Sequence, residues 1–175
     1  GPKGVGAMWV RSAARVEPLW DGGGHERGMR SGTLNVAGAV GLGRAAALAL
    51  EAQDAGAAAT IERERDRLER EMLATVADLV RGARPTVTGV PRAPHIASLA
   101  FPGLPAEPLL HALEARGVDA SAGSACASKT RGPSPVLKAI GVDDKTAVLR
   151  FSLARTTTAA EVDAAGDARR GAGEE

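Results

Sequence analysis

Ser121-Ala122-Gly123-Ser124-Ala125-Cys126-Ala127-Ser128 holds the only cysteine of the 175 residues, set among residues with almost no side chain. Small neighbours leave a thiol reachable and its backbone free to swing, which suits a nucleophile on a loop. The same cysteine also fits a buried free thiol acting as a small hydrophobe. Against that reading, no apolar periodicity runs through the stretch, and Lys129-Thr130-Arg131-Gly132 beyond it is too polar to continue a core strand. The flanks decide the fold class. Upstream, Leu109, Leu110 and Leu113 give Pro108 to Arg116 a helical apolar face, closed by Gly117. Val118-Asp119-Ala120 then reads as a short strand. Downstream, Pro133 opens a short helix over Ser134 to Ile140, and Ala147 to Leu153 reads as a strand with Arg150 between apolar neighbours. A charged residue in such a strand faces outward or binds an anion. Strands alternating with helices argue for an α/β or α+β chain.

Working outward, Ile96 to Phe101 and Thr86-Val87-Thr88-Gly89 read as further strands, with a turn at Pro102 to Pro105. Ala57 to Val80 reads as one long amphipathic helix, its apolar stripe made by Ile61, Leu68, Met72, Leu73, Val76, Leu79 and Val80. The run Glu62 to Glu71 is taken as its solvated face, with Asp66 and Arg70 at the spacing of a helical ion pair. Asn35 to Ala52 is a second helix, rich in Ala and Gly, which suggests close packing against another element or another subunit. A domain boundary is expected between these two helices. Val5 to Arg11 reads as a buried strand after a Gly-Pro turn. The last residues, from Gly171, are expected to fray.

Between that strand and the first helix lies Asp21-Gly22-Gly23-Gly24-His25-Glu26-Arg27-Gly28-Met29-Arg30-Ser31-Gly32-Thr33. Glycine at this density is costly in regular structure unless the backbone must come close to something. Hydroxyls and free amides with two arginines can hold a phosphate, although a plain surface loop accounts for the composition equally well.

The chain is 44% hydrophobic and 25% charged with a net charge of +1. That balance gives no ground for a nucleic-acid or anionic-membrane partner. No segment is apolar for long enough to span a bilayer, and no stretch of these residues reads as a signal peptide. One cysteine excludes an internal disulfide and suits a reducing, cytoplasmic setting. No metal-ligand pattern stands out. The opening on Gly1-Pro2-Lys3-Gly4, without an initiating Met, reads as a piece of something longer.

Taken together, GPKGVGAMWVR, GGGHERGMRSGT, SAGSACAS and LRFSLARTTTAAEVD, in this order and spacing, closely resemble the cysteine desulfurases of the NifS-like branch of class V aminotransferases. The resemblance runs from Gly1 to about Ala165. It implies the α/β fold of pyridoxal-phosphate-dependent transferases (aspartate aminotransferase fold type I). Residues 1–52 would be the end of the large cofactor-binding domain, and residues 53–175 the α+β small C-terminal domain that carries the catalytic loop. It further implies Cys126 as the persulfide-forming nucleophile, and Arg150 as the grip on the substrate α-carboxylate. Thr33 would reach the phosphate of pyridoxal 5'-phosphate from the neighbouring subunit of a homodimer. The substrate would be L-cysteine, released as L-alanine. Sulfur would pass to an acceptor such as an iron–sulfur scaffold protein or a thiolation enzyme. The Schiff-base lysine of the family lies in a Ser/His/Lys segment before the Gly-Pro-Lys-Gly turn, hence upstream of Gly1. Lys3 belongs to the turn, so the chain alone is expected to be inactive. A selenocysteine lyase or another class V aminotransferase, a non-catalytic sulfur-transfer module, and a carrier receiving persulfide from another enzyme remain as alternatives.

Overall fold

A computed structural model describes residues 1–12, 14–122 and 134–167. The chain divides into two compact units, Gly1–Ala55 and Gly56–Glu175.

In the first unit, β1 (Gly24–His25) and β2 (Arg30–Ser31) form a small antiparallel ribbon. α1 (Val36–Asp54) follows, capped by Asn35, whose side chain accepts from the Gly38 amide at 2.9 Å. That is the ordinary work of an N-cap asparagine. Pro2 rests against α1 so closely that a Cβ on Gly41 would fall 2.8 Å from its ring. Glycine at that turn of the helix is therefore a requirement of packing. Within this unit Val36, Val40 and Leu50 of α1 are exposed, and Trp9 is 84% exposed.

The expected strand over Val5 to Arg11 is absent: those residues form neither strand nor helix. A strand needs a neighbour to take its backbone hydrogen bonds. The only other strands described in this unit are β1 and β2, which are spent on each other.

The second unit is built on a four-stranded antiparallel sheet of order β3–β4–β6–β5: Arg84–Pro85, Ile96–Pro102, Thr146–Ser152 and Ser121–Ala122. α2 (Ala57–Val76), α3 (Ala106–Glu114) and α5 (Ala159–Asp167) contribute to the core on one face. Alternation along the two long strands does the sorting. Ala97, Leu99 and Phe101 of β4, with Ala147, Leu149 and Phe151 of β6, turn to that face and meet Leu68, Val162, Leu109, Leu110 and Leu113. Leu99 and Leu149, paired across the strands, are the largest side chains fully withdrawn from solvent. The opposite face carries a small apolar patch of Ala100, Val148 and Val142, against which Leu137 of α4 (Pro135–Ala139) packs.

The strand expected at Thr86 to Gly89 sits earlier, at Arg84–Pro85, and continues only through the Thr86 amide donating to the Ser98 carbonyl at 2.8 Å. Proline is tolerated there because β3 is an edge strand. The strand expected at Val118 to Ala120 is likewise displaced to Ser121–Ala122, which is where the chain meets β6. Leu79, expected in the apolar stripe of the long helix, lies beyond the end of α2 and is exposed.

The charged run on α2 is not simply a solvated face. Arg65 is 3% exposed and Glu69 6%. Arg65 donates through Nε and Nη2 to Asp66 (2.9 and 2.7 Å), through Nη2 to Glu62 (2.9 Å) and through Nη1 to the Ala93 carbonyl (2.9 Å). Burial works against its charge. The hydrogen bonds and charges of Asp66 and Glu62 outweigh that effect and hold the guanidinium above its ordinary pKa. Glu69 takes a two-pronged bond from Arg92 at 2.8 and 3.1 Å. The expected pairing of Asp66 with Arg70 is thus replaced by Asp66 with Arg65 and, at 3.7 Å, Arg92. These bonds tie the segment before β4 to α2.

A buried charge stripped of its partner is costlier than the pair removed whole. We expect Asp66→Ala to cost about 2 kcal/mol, discounted for the solvent that reaches Asp66. In an Arg65→Met background the same change should cost under about 0.5 kcal/mol. Urea titration of the four variants measures the coupling, and equal costs in both backgrounds would show that Arg65 does not depend on Asp66.

Arg67 joins α2 to α5, bonding Glu64 (2.8 and 3.0 Å), Asp163 and the Ala159 carbonyl (2.9 Å). Thr158 and Glu161 close the start of α5 reciprocally. The Thr158 amide and hydroxyl donate to the Glu161 carboxylate (2.6 and 2.9 Å), and the Glu161 amide donates to the Thr158 hydroxyl (3.3 Å). Those bonds hold the Glu161 carboxyl below its usual range.

Candidate functional site

The polar part of the open sheet face lies on β6 and its two neighbours. Arg150 pairs with Ser98 of β4 on one side and with Ser121 of β5 on the other. Cross-strand partners project to the same face of a sheet. The three side chains therefore form a row across the sheet, Ser98–Arg150–Ser121. Arg150 is exposed and the serines half-buried. The face away from the core is the only one open to a guanidinium, because residues at odd positions of β6 are packed under the helices. Of the two roles an arginine can have on an otherwise apolar strand, it is placed for either, since it faces outward. No hydrogen bond or ion pair to another described residue engages its side chain.

Along the same face, Ala100 and Val148 form the next pair. With Val142 and Leu137 they put an apolar shoulder beside Arg150. At the other end Ile96 pairs with Ser152. The serines carried no signal in the sequence until register was known, because a serine in a strand is unremarkable alone.

In the first unit, the Gly-rich stretch makes a tight left-handed corner. Glu26 (φ 50°), Arg27 (φ 57°) and Gly28 (φ 81°) lie consecutively in that region, closed by the Met29 amide donating to the Glu26 carbonyl at 3.1 Å. Two non-glycine residues held there cost free energy and are found where surroundings impose them. The Ser31 hydroxyl is spent on the Trp20 carbonyl at 2.6 Å, and Arg30 donates through Nη1 to the Ser31 carbonyl, its other N–H groups remaining open among the described residues. Thr33 is exposed and follows Gly32, itself at φ 91°. Among the described residues no hydrogen bond occupies its hydroxyl. A free hydroxyl beside a glycine-lined backbone is a donor of the kind a phosphate takes, so Thr33 fits the part of a phosphate ligand, while the Ser31 hydroxyl is already engaged.

Cys126 lies outside the described residues. It follows Ser121 by only a few positions in the sequence.

Residues 1–165 match the family described as aminotransferase class-V. The chain belongs to that family. A cysteine desulfurase of Cereibacter sphaeroides is 44% identical over 167 residues, covering 93% of this chain and 41% of the relative. The cysteine desulfurase IscS of Anaeromyxobacter dehalogenans is 45% identical over 172 residues, with 93% and 40% covered. Among solved structures, a NifS-like protein superposes with a TM-score of 0.75 at 33% identity, over 95% of this chain and 41% of its own. A NifS-like protein from Rickettsia africae gives 0.71 at 25% identity. The α/β fold expected from the motifs is thus the fold of NifS-like proteins. This class V chain spans about two fifths of the length of the curated relatives it matches. Among its described residues no helix is long and apolar enough to cross a membrane.

Proposed function

We propose that the chain is the C-terminal part of a cysteine desulfurase, an enzyme that takes sulfur from L-cysteine, releases L-alanine and hands the sulfur on. The observation that carries this is the strand register: Arg150 stands opposite Ser121, the residue at which the Cys126 stretch begins. Arg150 and the residue that opens the Cys126 stretch thus stand on neighbouring strands, which supports reading them as parts of one site. Relatives named cysteine desulfurase, at 44–45% identity, support the reading.

In this assignment Arg150 binds the α-carboxylate of the substrate through its two-pronged fork. Cys126, as thiolate, attacks the substrate sulfur; the new S–S bond forms as the C–S bond breaks. The electron pair of the broken bond stays with carbon, which gains a proton and leaves as alanine. Family membership implies pyridoxal phosphate, which when bound draws electron density from the substrate. Thr33 would hold its phosphate, and we place that contact across the interface of a homodimer. Residues 1–52 would close the large domain and residues 53–175 form the small one. The sulfur acceptor is proposed to be an iron–sulfur scaffold or thiolation protein, in keeping with the IscS-type relative. The lone cysteine suits the reducing cytoplasm.

The test is product analysis on the full-length protein loaded with pyridoxal phosphate. With L-cysteine and a thiol reductant, alanine and sulfide should appear in equal amounts, while the 175-residue chain alone yields neither. Absence of alanine from the loaded full-length enzyme would overturn the assignment. Turnover of L-selenocysteine with none of L-cysteine would replace it by a selenocysteine lyase.

A further inference from the structure

We propose that Ser98 and Ser121 are specificity-determining residues of the substrate site, donating their hydroxyls to the carboxylate that Arg150 binds. This rests on the reading of Arg150 as the carboxylate anchor. Three observations lead to it. The two serines are the in-register partners of Arg150 on both sides, so the central guanidinium has a hydroxyl on each flank. Neither hydroxyl is engaged among the described residues; the bond between the Ser98 carbonyl and the Thr86 amide is a backbone one. Both remain partly open to solvent and on the face away from the core.

Stereochemistry explains why serine suits these positions. An arginine standing straight off a sheet lifts its fork well above a serine hydroxyl, and a carboxylate on that fork would be out of reach. A large residue on either flank would hold it upright. Serine leaves a slot, so the stem of Arg150 can lie across its neighbour and bring the carboxylate down to hydroxyl height. A carboxylate has about four lone-pair positions, of which a guanidinium fork fills two. Two hydroxyls supply donors for the rest. On the far side Ala100, Val148, Val142 and Leu137 are apolar, which limits competing water along that edge. The arrangement selects a small amino acid with a free α-carboxylate over its amine or ester analogues, in which the serines would be left unpaired.

The experiment compares Ser98→Ala, Ser121→Ala, Ser98→Thr and Ser121→Thr in the full-length, cofactor-loaded enzyme, with Arg150→Ala as reference. Each alanine variant should raise KM for L-cysteine about tenfold or more, the effect of one hydrogen bond to a charged group. In both, kcat should stay within about twofold and the unfolding midpoint should not move. Threonine, which restores the hydroxyl, should return KM to within about twofold of wild type. Calorimetric titration with L-alanine should show the same weakening without turnover. Unchanged KM and L-alanine affinity in the alanine variants, with Arg150→Ala impaired, would overturn the proposal and leave the role of Arg150 standing. Wild-type kinetics in Arg150→Ala would overturn that role and the proposal with it. A fall in kcat and unfolding midpoint at constant KM would make the serines structural and also refute the proposal.

Discussion

Cys126→Ser in the full-length enzyme should lower alanine formation from L-cysteine by roughly a thousandfold or more, as loss of a covalent nucleophile does. A serine hydroxyl is far less ionised near neutral pH than a thiol, and it cannot carry the transferred sulfur. The substitution is nearly isosteric, so folding and the absorbance of bound pyridoxal phosphate should be unchanged. Those two controls separate the nucleophile from the alternative reading of a buried structural cysteine. In that case the variant would keep its kcat and lose stability, because a polar hydroxyl would replace a small hydrophobe. Retained turnover would therefore remove Cys126 from the chemistry, whatever happened to the unfolding midpoint. Labelling adds a second readout. After one turnover without reductant, the wild type should hold one persulfide at Cys126, and the serine variant none.

How much of this was legible beforehand depends on the kind of signal each residue leaves. β4 and β6 stood out because each is a run of apolar and small residues long enough to pair over seven positions. α1, α2 and α3 were readable from helical spacing to within a few residues at their ends. β3 and β5 were misplaced by a few positions. Each is two residues long, and its bounds are set by where a neighbour accepts it rather than by its own sequence. Val5 to Arg11 shows the same dependence in the opposite sense: a strand-like pattern remained irregular where the unit offered no partner. Arg65 and Glu69 escaped notice because a charge run on a helix is ordinarily solvated. Nothing in the local pattern says that Ala93 and Arg92, more than twenty residues on, return to cover it. For the site, Cys126 was singled out by its uniqueness and Arg150 by its apolar strand. Ser98 and Ser121 became visible only once register placed them beside Arg150.

Arg150→Ala in the full-length enzyme should reduce kcat/KM for L-cysteine by about two to three decades, on the order of 3–4 kcal/mol of lost binding to the transition state. The magnitude follows from position. Arg150 lies on the third strand of a four-strand sheet and is flanked on both sides, so its backbone is fixed by β4 and β5. A fixed backbone preorganises the fork, and removing it forfeits both hydrogen bonds and the positioning they give. Stability should change little. The side chain is exposed, makes no ion pair with a described residue, and its loss opens no cavity under Leu149 or Phe151, which face the other way. Lysine at the same position keeps the charge but has no planar fork, and should recover only part of the loss, about one decade. A substrate without the carboxylate, cysteamine, supplies the decisive comparison. If Arg150 acts on that group, wild type and Arg150→Ala should handle cysteamine alike, however poorly, while differing by decades on L-cysteine. An equal loss on both substrates would mean that Arg150 supports the site without touching the carboxylate. Wild-type rates on L-cysteine would mean that it faces only solvent.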